Sequence, residues 1–123
     1  MKVLITGSSG LLGRMLIGHL LTADADIAGI DIIESPEFMN RQRFRFYNCS
    51  ITDKEKLKSV FQKEQPTNVI HFACSFNKVR NKNREHEIDI NGSDNILEIC
   101  NNTHSVKQLI FSSSSAAYGG KKD

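Results

Sequence analysis

Thr6-Gly7-Ser8-Ser9-Gly10-Leu11-Leu12-Gly13 follows a short apolar run, Lys2 to Thr6, and opens an apolar-periodic stretch, Leu11 to Leu21. Glycines at this spacing between a strand and a helix form a turn whose amides can face an anion. Gly7 permits the tight turn, Gly10 lets backbone approach a pyrophosphate, and Gly13 allows close packing of the helix. The helix dipole adds to the attraction. The plain alternative is a glycine-rich turn with no ligand. Asp31 favours the ligand. It ends the second strand candidate, Ala25 to Asp31, about twenty residues past the loop, where a carboxylate accepts hydrogen bonds from adenosine ribose hydroxyls. The same carboxylate repels a 2′-phosphate, and no Arg follows it directly, so NAD is favoured over NADP. Arg14, beside the glycine loop, keeps NADP open as the alternative.

Outward from this loop, strand-like runs alternate with amphipathic segments. In Leu11 to Leu21 the residues Leu12, Met15, Leu16 and Leu20 form an apolar stripe. Ile33 to Gln42 contains Pro36 and polar groups and reads as a loop or a short irregular helix. Arg43 to Tyr47 alternates, with Phe44 and Phe46 on one face of a third strand. Thr52-Asp53-Lys54-Glu55 is a capping-box pattern, with Thr52 as cap and Glu55 reaching back. Leu57, Val60 and Phe61 line the helix that follows, and Pro66 marks its exit. Val69 to Ala73 is a fourth strand. Glu85 to Cys100 is a longer helix, with Ile88, Ile96, Ile99 and Cys100 toward the core. Gly92 inside it costs about 1 kcal/mol against Ala, tolerable if the helix approaches the sheet closely. Val106 to Ser112 is the fifth strand. Helices between strands imply crossover connections, hence an α/β fold: a Rossmann-type doubly wound parallel sheet. A flavodoxin-like sheet remains open, whereas a P-loop domain lacks the Gly-Lys-Ser/Thr triplet it requires.

The 123 residues suit one domain, 1–123. With 39% hydrophobic and 24% charged residues the chain belongs with globular proteins, not disordered ones. A net charge of +2 gives no basis for a nucleic-acid partner. Lys78, Arg80, Lys82 and Arg84 are either a solvated loop or an anion contact. Cys49, Cys74 and Cys100 are widely spaced and odd in number, which argues against a disulfide scaffold or a zinc site and suits a reducing cytoplasm. The histidines lack ligand spacing, so no metal is expected. The apolar run at the N-terminus is shorter than the roughly 7 residues of a secretory signal or the about 20 of a membrane span. No membrane association is expected.

Further stretches carry a resemblance. The chain resembles the extended short-chain dehydrogenase/reductase family, in its NAD-dependent epimerase/dehydratase group acting on nucleotide sugars. T-G-x-x-G-x-x-G is that group's form of the glycine loop. Val69-Ile70-His71-Phe72-Ala73-Cys74 is similar to its fourth strand, and Gly92-Ser93-Asp94-Asn95-Ile96-Leu97-Glu98 to its helix motif. Phe111-Ser112-Ser113-Ser114-Ser115-Ala116-Ala117-Tyr118-Gly119 is similar to its serine-rich fifth strand. Together these cover essentially the whole chain.

The resemblance implies a site. Gly7, Gly10, Leu11 and Leu12, with Gly13 behind them, would contact the pyrophosphate; Asp31 and Ile32 would hold the ribose. Phe72, Ala73 and Cys74 would line the path to the nicotinamide, and Ser112 would sit beside it. Ser114 matches the catalytic Ser/Thr, whose hydroxyl bonds the substrate oxygen as a carbonyl develops. His71 reads as a satisfied core histidine rather than a base. Ser50-Ile51 stands where the family has Asp-hydrophobic for the adenine amino group, so a charge is missing there. Asp89 replaces a cofactor-facing Asn, and an ionised Asp only accepts hydrogen bonds.

The family's chemistry also uses a Tyr-x-x-x-Lys pair on the helix after the fifth strand. Tyr118-Gly119-Gly120-Lys121-Lys122 has the letters. Tyr118 belongs to the Tyr-Gly end of the serine strand, however, and consecutive glycines disfavour the turn that would stack it on Lys122. The expectation is therefore the N-terminal cofactor portion of a nucleotide-sugar epimerase or dehydratase, truncated after the fifth strand, without a substrate domain and inactive alone. The parent is expected to be a homodimer, as the family implies. A non-catalytic dinucleotide-binding or scaffold module is the alternative, and an oligomerisation piece the third reading.

Overall fold

The computed structural model describes residues 1–72 and 87–112, with side chains from residue 89 in the second stretch. A parallel sheet forms from β1 (Lys2–Thr6), β2 (Asp26–Asp31), β3 (Phe44–Asn48), β4 (Asn68–His71) and β5 (Gln108–Phe111). Its strand order is β3-β2-β1-β4-β5. That order reverses direction between β1 and β4, which is the Rossmann arrangement and excludes the flavodoxin-like one. Registers Thr6 to Ile30, Thr6 to His71, Asp31 to Asn48 and His71 to Phe111 bring the carboxyl ends of all the strands to one edge. A ligand crevice belongs there.

β1 and β2 are apolar on both faces because helices cover both. On one side Leu4, Ala28, Ile30 and Val69 pack with α2 (Lys54–Glu64) and α3 (Ser93–Asn101) through Leu57, Val60, Phe61, Ile96, Ile99 and Cys100. On the other, Val3, Ile5 and Ile27 pack with Ile17 of α1 (Leu11–Thr22) and with Phe38. Each such side chain contributes about 1.5–3 kcal/mol on burial.

The stripe expected for α1 is rotated. Leu12 and Met15 are 54% and 55% exposed, while Gly13 and Ile17 are buried, flanked by Leu16, Leu20 and Leu21. The apolar residues of this helix, Leu11, Leu12, Met15, Leu16, Ile17, Leu20 and Leu21, lie on all sides of it, so periodicity admits two faces, and the close approach at Gly13 selects one. Asp53 replaces Thr52 as the cap of α2: its carboxylate accepts from the Lys56 N–H, while the Thr52 hydroxyl bonds Ser50 Oγ at 2.7 Å. Gln65, in the left-handed region at φ 48°, closes α2 before Pro66. The segment between β2 and β3 is more than a loop. Ser35 caps a 3-10 turn, Pro36–Phe38, which places Phe38 in the core edge-on to Phe44, ring centroids 6.0 Å apart. Ahead of α3, Glu87–Gly92 winds as a π-helical turn instead of continuing an α-helix. A Cβ at Gly92 would stand 2.4 Å from Ile51 Cδ1, so the close approach there is to the segment after β3 and not to a strand.

Opposite the carboxyl edge, the buried Glu64 at the end of α2 ties the layers together. Arg45 donates to it through Nε at 2.9 Å and Nη2 at 2.8 Å, and the Tyr47 hydroxyl donates as well. Lys2 lies 3.8 Å away, and Arg45 also pairs with Asp26 at 2.8 Å. Burial alone would raise the Glu64 pKa; the bonds from Arg45 and Tyr47 outweigh it and hold the carboxyl below its ordinary value. Burial, then Glu64, push Tyr47 up to about 12.

Candidate functional site

Gly7 takes a φ of 72°, a left-handed conformation that other residues adopt only under strain. Its N–H and that of Ser8 both donate to the Ile30 carbonyl, at 2.8 and 3.2 Å, pinning the loop to β2. A Cβ at Gly13 would stand 2.4 Å from the Gly7 carbonyl oxygen and 2.8 Å from Ser8 Cα, backbone against backbone. At Gly10 a Cβ would meet the same oxygen at 3.4 Å, an ordinary contact. The fold therefore requires the first and third glycines, and the open side of the loop is what gives the second its purpose. Gly10 caps α1 with no side-chain hydrogen bond, and no acidic residue lies in the first turn. The first intrahelical bond runs from Arg14 N–H to the Gly10 carbonyl at 2.9 Å. The amides of Leu11, Leu12 and Gly13 precede it, so an uncompensated positive helix end faces the carboxyl edge of the sheet.

Asp31 stands beside this loop. Its Oδ2 accepts from the Ser9 N–H at 2.9 Å and its Oδ1 from the Ile32 N–H at 2.7 Å. Each carboxylate oxygen keeps a second lone pair for a ligand hydroxyl. Ser9 Oγ accepts from the Ser35 N–H at 3.1 Å, and Ser35 Oγ from the Glu37 N–H at 3.4 Å. The segment after β2 is thereby stitched to the glycine loop. Sequence reasoning missed Ser9, Ser35 and Glu37, although Ser35-Pro36-Glu37 is a helix-start signature that could have revealed them.

At the reversal of strand order, His71 joins three elements. Its Nδ1 bonds Thr6 Oγ1 at 2.7 Å and its Nε2 bonds Ser93 Oγ at 3.2 Å. The imidazole is 5% exposed and stacks obliquely on Phe111. Burial pushes its pKa down to about 4, so it is neutral near pH 7. It is the satisfied core histidine expected from the sequence. Thr6 in turn receives the Phe72 N–H, on both its carbonyl and its hydroxyl, and the Ser112 N–H donates to the His71 carbonyl at 3.1 Å.

The carboxyl edge thus gathers the Gly7–Gly13 loop, Asp31, Phe72 and Ser112. Leu11, Leu12 and Ile32 are exposed there, 66%, 54% and 56%. Ser50 lies past the end of β3, where its hydroxyl accepts the Thr52 N–H at 3.2 Å in addition to its bond with the Thr52 side chain. The Ile51 side chain is a core residue, 4% exposed, and its carbonyl accepts from Asn95 Nδ2 at 2.9 Å. Asp89 is exposed on the π-helical turn. Ala73, Cys74, Ser114, the Lys78–Arg84 cations and Tyr118–Lys122 lie outside the described residues. Among the described residues no group of His, Cys, Asp and Glu could hold a metal ion, and no helix is long and apolar enough to cross a membrane.

The sequence of this chain matches a known protein family. The model of the NAD dependent epimerase/dehydratase family covers residues 3–123. The chain belongs to that family. Among family relatives, mouse UDP-glucose 4-epimerase is 30% identical over 96% of this chain and 39% of its own length. The dTDP-D-glucose 4,6-dehydratase of Dictyostelium discoideum is 30% identical over 96% of this chain and 30% of its own. The Bordetella bronchiseptica enzyme WbmG, solved in complex with NAD, superposes with a TM-score of 0.89 at 28% identity, over 97% of this chain and 39% of that one. This chain therefore spans about two fifths or less of the length of these epimerase/dehydratase family members.

Proposed function

We propose that residues 1–123 are the N-terminal, NAD-binding part of a nucleotide-sugar epimerase or dehydratase. One observation carries this reading: the α1 amino terminus has neither a side-chain cap nor an acidic residue in its first turn, and it faces the edge where Asp31 stands. The loop amides would hold the pyrophosphate, and Asp31 would accept hydrogen bonds from the adenosine ribose. The family's epimerases and dehydratases, together with the NAD complex of WbmG, support the assignment of cofactor and substrate class.

NAD supplies a hydride acceptor at the nicotinamide when bound. Phe72, Ala73, Cys74 and Ser112 would border its path along the carboxyl edge. Ser114 would donate a hydrogen bond to the sugar oxygen as its carbon gains carbonyl character. A tyrosine whose phenolate takes the hydroxyl proton, and a lysine that lowers its pKa, would come from a further part of the protein rather than from Tyr118 and Lys122, as would the residues that read the sugar. The test is calorimetric titration of the 123-residue chain with NAD, followed by incubation with NAD and a panel of nucleotide sugars. Saturable binding without sustained product is the expected result. Absence of binding overturns the cofactor assignment, and sustained product overturns the assignment of chemistry to a further part.

A non-catalytic dinucleotide module is the second reading. One observation supports it: the Ser50 hydroxyl, which the family resemblance would put at the adenine contact, is already engaged with Thr52.

A further inference from the structure

Arg14 follows directly on Gly13, at the end of the loop that would cradle phosphates. It donates from Nη1 to Glu37 Oε1 at 3.4 Å, and both side chains are partly exposed, 39% and 50%. Glu37 is no chance neighbour. It rides on the 3-10 turn capped by Ser35, whose N–H bonds the Ser9 hydroxyl, while the Ser9 N–H bonds Asp31. Hydrogen bonds therefore link Asp31, Ser9, Ser35, Glu37 and Arg14 around one end of the loop. The two ends of this path differ in sign. Asp31 would face the ribose hydroxyls; Arg14 is a guanidinium, the side chain best suited to a phosphate dianion.

We propose that Glu37 is a cofactor-specificity residue, which occupies Arg14 and so denies a 2′-phosphorylated dinucleotide the cation it would need. This rests on the dinucleotide reading above and deepens it. A 2′-phosphate on the ribose at Asp31 meets one carboxylate directly and a second, Glu37, on the adjoining turn. The guanidinium that would offset them is already paired. Removing Glu37 deletes one negative charge and releases the positive one, both in favour of NADP. NAD and NADP share the pyrophosphate, so any effect of the freed charge there cancels in the ratio of the two affinities. An exposed ion pair contributes little to folding, so its loss leaves the domain intact.

The experiment is calorimetric titration of the full chain with NAD and with NADP, for wild type, Glu37→Ala, Arg14→Ala and the double variant, with thermal melts as a folding control. Glu37→Ala is expected to raise the ratio of NADP to NAD affinity about tenfold, the worth of one charge-assisted hydrogen bond. Arg14→Ala in the Glu37→Ala background is expected to remove the larger part of that gain and leave the part due to the lost repulsion from Glu37, and added salt is expected to shrink it. An unchanged ratio of NADP to NAD affinity in Glu37→Ala, with NAD binding intact, overturns this proposal and leaves the dinucleotide reading standing. A gain that survives undiminished in the double variant overturns the role of Arg14. A wild-type chain that binds neither dinucleotide overturns both readings.

Discussion

Gly10 and Gly13 look alike in the sequence and differ in what surrounds them. At Gly13 a methyl group collides with the backbone of Gly7 and Ser8, neither of which has room to move. Gly13→Ala is expected to cost about 1–3 kcal/mol of stability, as overpacking does. At Gly10 the conformation, φ −78° and ψ 175°, suits any residue, and the nearest atom lies at contact distance. Gly10→Ala is expected to leave the melting transition in place and to weaken NAD binding, because the methyl occupies the ligand's side. Paired melts and titrations separate the two; equal loss of stability in both variants would contradict the assignment. His71 gives a pH signature at the same scale. Its folded pKa of about 4 lies below the ordinary 6.5, so the folded state refuses a proton that the unfolded chain accepts. Stability is thus undiminished above pH 6.5, falls as the pH drops through this window, and levels off below about 4, a total of about 3 kcal/mol. Urea denaturation along this range should show the slope in wild type and a flatter one in His71→Gln. Parallel curves would assign the slope to other groups.

Among the elements, α2 offers the sharpest test. Asp53 caps it and Thr52 does not, so Asp53→Ala should cost about 1 kcal/mol, while Thr52→Ala loses only a partner of Ser50. Thermal denaturation that ranks the two in reverse would restore the capping box expected from the sequence. That box failed because both residues are good caps one position apart, and pattern alone cannot fix which of them leaves helical geometry first. The strands were legible to within one or two residues at each end, since short apolar runs such as Val3-Leu4-Ile5 stand between turn signals. The α1 face was not, because its apolar residues surround the helix and tertiary contact at Gly13 decides the rotation. Of the site, Gly7, Gly10, Gly13 and Asp31 were legible from spacing. Ser9, Ser35 and Glu37 were not, because their roles arise from two loops meeting, and neither loop carries the other's signal.

Across the whole molecule, the ion cluster on Glu64 secures the end of the sheet opposite the crevice. Glu64 is buried and bound by Arg45 and Tyr47 of β3, with Lys2 of β1 nearby. Glu64→Ala leaves Arg45 with Asp26 and strands the Tyr47 hydroxyl. Because the Arg45 side chain is 36% exposed, the expected cost is about 2 kcal/mol, below the range for a fully buried pair. Chemical denaturation measures it; a change within about 0.5 kcal/mol would show that the cluster is a surface feature only.

The bond between Thr6 and His71 spans 65 residues of chain. At synthesis rates of about 5–20 residues per second, about 3–13 s separate the making of its two halves. Throughout that interval the nascent β1 has at most β2 for a neighbour, and one long edge stays open to whatever else the cell presents. The glycine turn, pinned to β2, is thus in place well before β4 closes the other side of β1.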